Sequence, residues 1–139
     1  MSRELNQETI KEIISNSSID TEMIVYGNLP LMASSYCFLG KTNKCFPDCG
    51  TSCKKDSTYY LKDRLGFNFR VIPDNMQTVS LICNSKTLSI STKDLPINFV
   101  RLDFIDETID EMNKAIVKAY NREKLEGLQY TNGNLYREV

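Results

Sequence analysis

The chain has 139 residues, 41% hydrophobic and 25% charged, with a formal net charge of −1. That composition supplies one packed core and excludes both a disordered chain and a globally basic nucleic-acid-binding surface. Histidine does not occur, which excludes Ser–His and Cys–His catalysis, HExxH zinc chemistry and Cys–His zinc fingers. Any metal must be held by cysteine or oxygen, and any general base must be Asp, Glu, Lys, Tyr or a thiolate.

The opening "MSRELNQETIKEI" is charged and lacks the apolar centre of a signal peptide. No run of about 18 apolar residues suggests a membrane span. A cytoplasmic protein with no membrane partner is therefore expected. "LNQETIKEII" places Leu5, Ile10, Ile13 and Ile14 on one helical face, with Asn6 as N-cap. "EMIVYG" reads as a short buried strand ending at Gly27, and from Pro30 to Ser57 no regular pattern is expected.

Order returns with "TYYLKD" and with "FNFRVI", which alternates Phe67, Phe69 and Val71 against Asn68 and Arg70. "TVSLIC" and "TLSI" follow, separated by "NSK", and together these segments read as antiparallel hairpins. "INFVRLDF" is a strand with Phe99, Arg101 and Asp103 on one face and Val100, Leu102 and Phe104 on the other. Thr108 and Glu111 form a T-x-x-E capping box for a helix over 108–123, whose apolar stripe is Ile109, Met112, Ile116, Ala119 and Tyr120. Gly127 closes that region, and "GLQYTNGNLYREV" reads as a tail turning at "NG".

Four of the five cysteines fall within residues 37–53, spaced Cys37-x7-Cys45-x3-Cys49-x3-Cys53, with Cys83 downstream. Structural zinc sites favour C-x2-C knuckles, which this loop lacks. An iron–sulfur cluster tolerates looser spacing. Gly40 and Gly50 permit close backbone approach, Pro47 stiffens the loop, and Lys41, Lys44, Lys54 and Lys55 offset thiolate charge. Free thiols are the competing reading. An odd cysteine count without an export signal places disulfides third.

Taken together, "VYGNLPLM", "SYCFLG", the spaced cysteines, "YYLKDRLGFNFRV", "NSKTLSI", "VRLDFIDET" and "YTNGNLYREV" resemble the C-terminal part of the collagenase-like peptidase family, peptidase family U32. The resemblance covers almost the whole chain and keeps the family's order. It implies an α/β fold, the end of a (β/α)8 barrel, with "EMIVYG" a late barrel strand and "NFVRLDF" the last. Residues 1–139 would then be a single partial domain. The cysteine loop 37–53 and the β section 58–90 would be inserted between late strands, with the loop at the catalytic face.

The implied function is a protease segment, a fragment or truncated member of the family. Its 4Fe-4S cluster, or alternatively zinc or no metal, would be held by Cys37, Cys49, Cys53 and Cys83, with Cys45 as the alternative ligand. The implied partner is a missing N-terminal barrel portion or another chain, and the implied substrate is a peptide or RNA. Two other readings follow from the family: a non-catalytic partner module, and part of an RNA- or small-molecule-hydroxylating relative. Cys37, Cys49 and Cys53 match the family's cysteine positions, whereas the fourth family cysteine falls near Gln77 or Thr78. Asn28 stands where the family has arginine, and "YTNGNLYREV" lacks the family's histidine and second glycine. No nucleophile is assigned. Asp63 with Arg64, and Arg101 with Asp103, are the polar pairs to watch; turn or strand ion pairing is their simpler role.

Overall fold

The computed structural model describes residues 1–2, 4–42, 53, 58–74 and 79–137. The elements, in chain order, are α1 (Gln7–Ser15), β1 (Glu22–Ser34), α2 (Phe38–Thr42), β2 (Tyr59–Lys62), β3 (Asn68–Asp74), β4 (Val79–Ser89), β5 (Phe99–Asp103), α3 (Ile109–Tyr120) and β6 (Tyr130–Thr131). The fold is mixed α/β with a six-stranded sheet of order β2-β3-β4-β1-β5, β6 pairing with β4. Two compact units divide the chain: Met1–Asn28 with Lys86–Val139, and Leu29–Ser85.

In the first unit, α1 starts where expected. Asn6 Oδ1 accepts the Thr9 amide at 2.9 Å, satisfying one of the orphan donors of the first turn. Its apolar face is narrower than expected: Ile10 is fully buried, Ile14 half-buried, and Ile13 exposed. The first half of β1 runs parallel to β5, with Met23 opposite Val100 and Gly27 opposite Asp103. Between Ile24 and Tyr26 the register shifts, so Val25 is an extra residue in β1. Such a bulge interrupts the two-residue alternation, and in consequence Val25 and Tyr26 are both buried.

The capping box on α3 forms as read: Thr108 Oγ1 accepts the Glu111 amide and Glu111 Oε2 accepts the Thr108 amide at 2.8 Å. The helix ends at Tyr120, with Asn121 as C-cap, rather than at 123. Its stripe is a further correction. Ala115 is buried with Met112 and Ala119 half-buried beside it, whereas Ile109, Ile116 and Tyr120 are exposed together with Val117. One side of the helix covers the unit's core and the other covers nothing among the described residues.

The tail is more ordered than its turn residues suggested. Tyr130 and Thr131 pair with Thr87 and Leu88 as a parallel strand. The turn at Asn132–Gly133 forms, with Gly133 at φ 62°, and Leu135 is buried while its carbonyl accepts the Gln7 amide at 2.8 Å.

In the second unit, β1 continues past Gly27 to Ser34 and α2 follows, where no regular structure was expected. The cause is backbone pairing, which period-based reading misses in a segment whose residues 30–33 are exposed. β2–β3 and β3–β4 are antiparallel, as expected for hairpins. β4 is one strand through "NSK" rather than two. Among the described residues, Leu29, Val71, Ile82 and Cys83 are the unit's buried apolar residues.

Candidate functional site

The bulge in β1 brings Tyr26 to the end of the parallel β1–β5 pair, where β5 gives way to the loop before α3. Its ring packs against Phe104, centroids 5.4 Å apart, and the Glu107 carboxylate lies close enough for its charge to act on the phenol. Burial and then the negative charge of Glu107 push the Tyr26 phenol well above its ordinary range, so it stays a proton donor. Glu107 Oε2 also accepts the amides of Ile105 at 2.7 Å and Asp106 at 3.2 Å. A carboxylate held by backbone donors is thus fixed beside a buried phenol, with Tyr130 and Glu111 near enough to bias its titration.

Next to it, Gly27 has φ +138°, and a Cβ there would lie 2.6 Å from the Asp103 carbonyl oxygen. Only glycine lets β1 and β5 approach this closely. Strand ends of parallel α/β layers are where such folds place their chemistry. The signal that could have found this cluster was the "VYG" glycine together with "DFIDET", read as one place rather than as two elements.

The expected site residues fall in several places. Cys37 lies just before α2, half-buried, its Sγ accepting the Gly40 amide at 3.1 Å. Cys53 is half-buried and Cys83 is completely buried on β4. Cys37 is a free thiol. Cys45 and Cys49 lie outside the described residues. Among the described residues no group of three or more His, Cys, Asp or Glu side chains could hold a metal ion.

Asp63 is a turn residue, held by backbone amides where ion pairing with Arg64 was expected. Its Oδ1 accepts the amides of Leu65 and Phe67, both at 2.9 Å, and so builds the β2–β3 turn. Arg101 bonds Asp103 at 3.0 Å and Glu22 at 3.3 Å on an exposed strand surface, an arrangement of small energetic weight.

A shallow cleft of about 430 Å³ is lined by Ser91, Lys93, Lys118, Glu123, Lys124, Leu125 and Glu126. Glu123 bonds Lys118 at 2.7 Å and Lys93 at 2.8 Å. The Lys118 and Lys93 hydrogen bonds, then their charges, lower its carboxyl to about 2. The cluster braces the turn after α3, where Ser91 Oγ and the Thr92 amide donate to the Arg122 carbonyl at 2.8 and 3.1 Å.

The model of peptidase family U32 matches residues 1–137. The chain belongs to peptidase family U32. The match spans both units of this U32 chain, the cysteine segment and the Tyr26 cluster alike. Searches of curated proteins and of solved structures return no match. Among the described residues no helix is long and apolar enough to cross a membrane.

Proposed function

We propose that this chain is a peptidase segment acting on peptide substrates, and that the family match over 1–137 carries that reading. In this reading β1 and β5 are adjacent late strands of a (β/α)8 barrel, a role supported by their parallel pairing and by the helix that follows β5. The Tyr26–Glu107 pair then lies at the catalytic end of the strands, where a neutral phenol donates a hydrogen bond to substrate or developing negative charge.

The all-sulfur donor set of Cys37, Cys49 and Cys53, with Cys83 or Cys45 as fourth ligand, suits a 4Fe-4S cluster better than zinc, since no C-x2-C knuckle is present. Such a cluster would supply electron-transfer or Lewis-acid chemistry. What the chain itself contributes is the Gly40 amide, which already hydrogen-bonds the Cys37 sulfur. The test is anaerobic purification with iron and sulfide assays, a visible spectrum, and cleavage of gelatin and unfolded peptides by the chain and by Cys37→Ser and Cys49→Ser. Iron-free, colourless protein removes the cluster. Peptides left intact by the metallated chain remove the peptidase reading.

A second reading, a module completed by a partner chain, is favoured by the uncovered side of α3 and by the position of β5 at the end of the strand order.

A further inference from the structure

β5 ends the strand order and pairs, among the described residues, with β1 alone. The Phe99 amide donates toward the β1 side, to the Thr21 carbonyl at 3.0 Å. Backbone groups of a strand alternate in direction, so Val100, Leu102 and Phe104 turn their N–H and C=O groups to the open edge. An edge of this kind is a template for another strand. The segment that presents it reads Val100-Arg101-Leu102-Asp103-Phe104, and this run is self-complementary.

We propose that the occupant of this edge is a second copy of the same chain, with the two β5 strands antiparallel about a two-fold axis at Leu102. That register sets Leu102 against Leu102, Val100 against Phe104 and Arg101 against Asp103 of the second copy. All of the outward-facing residues then fall in hydrogen-bonded pairs, and opposite charges meet twice. Sliding by two residues to centre the axis on Arg101 would set the two arginines against each other, which is unfavourable. Charge complementarity therefore selects a single register.

The helical layer fits the same operator. α3 packs against β5, so an axis perpendicular to the sheet carries the two α3 copies to one face in antiparallel order. Ile109 is 72% exposed, Val117 57% and Tyr120 88%, giving an apolar side for a symmetric contact. The acidic first turn, Asp110 and Glu111, then approaches the basic last turn at Lys118 of the other copy, and the helix dipoles oppose.

The proposal rests on the partner-module reading, is an alternative to the barrel reading in which the outer edge of β5 pairs with another barrel strand, and is independent of the cysteine-loop reading. Its test uses the full chain in sedimentation equilibrium, with circular dichroism as the check on folding. A dimer is expected, weakened about tenfold or more by R101D and restored by R101D/D103R. Mild oxidation of L102C should join position 102 of one chain to position 102 of another, because a hydrogen-bonded antiparallel pair places the Cα atoms about 5.5 Å apart. The native thiols are controlled by the parent protein and by peptide mapping of the cross-link.

A monomeric parent overturns the proposal, and the partner-module reading falls with it when no separate chain binds along β5 either. An oligomer that ignores both charge variants and gives no 102–102 cross-link overturns the β5 assignment alone, leaving the partner to another surface. A monomer that is captured by a separate barrel-type chain along β5 also overturns it, since that occupant would lie parallel.

Discussion

Substituting Gly27 by alanine tests the idea that the β1–β5 pair exists only because the backbones touch there. The new Cβ would meet Asp103 O at 2.6 Å and Asp103 Cβ at 3.0 Å, and φ is +138°. The backbone conformation costs about 1–3 kcal/mol for a residue with a side chain. Forcing the strands apart costs roughly another 1–3 kcal/mol, because the obstacle is a backbone carbonyl rather than the end of a flexible side chain. A loss of about 2–6 kcal/mol is therefore expected, a large part of the ~5–15 kcal/mol that stabilises a typical domain. It should appear in urea denaturation as a lower midpoint at unchanged slope.

Gly66 is the internal control. Its φ is +88°, but a Cβ there has only Lys62 Cε at 3.8 Å, so Gly66→Ala should show the conformational cost without the clash. If Gly27→Ala lies within about 0.5 kcal/mol of the parent, or is no worse than Gly66→Ala, the close approach of the strands is refuted.

Thr108→Ala removes the side-chain half of the capping box, leaving the residue-108 amide to Glu111, and should cost about 1 kcal/mol in urea denaturation; Thr108→Ser should recover most of it. A silent Thr108→Ala would show that α3 does not depend on its cap. Glu123 has a folded-state carboxyl lowered to about 2 by Lys118 and Lys93. Its stabilising contribution is therefore present above the unfolded value of about 4.3 and is lost as pH falls from there toward 2. Melting temperatures between pH 2 and 6 should fall less steeply in Glu123→Gln than in the parent, and parallel profiles would contradict the ion-pair brace.

Local rules reached the features that are settled within a few residues of chain. Asn6 and Thr108 cap helices because a side chain three residues from an amide can bond it whatever the rest of the molecule does. The hairpin strands, the turn at Asn132–Gly133 and the family itself were legible for the same reason: each is written in contiguous residues.

What the linear pattern left undecided depends on partners distant in sequence. The bulge at Val25 exists only against β5, more than 70 residues away, and it alone turns Tyr26 inward toward Glu107. Helical periodicity gave α3 a wide apolar arc but not which half would be covered; packing took Ala115 and left Ile109 and Tyr120 outside. The order of composition, spacing and capping belongs to the sequence by itself. Which strand is an edge, which glycine is a contact and which tyrosine is buried were decided by tertiary structure, because strand pairing and burial are relations between segments and no single segment contains them.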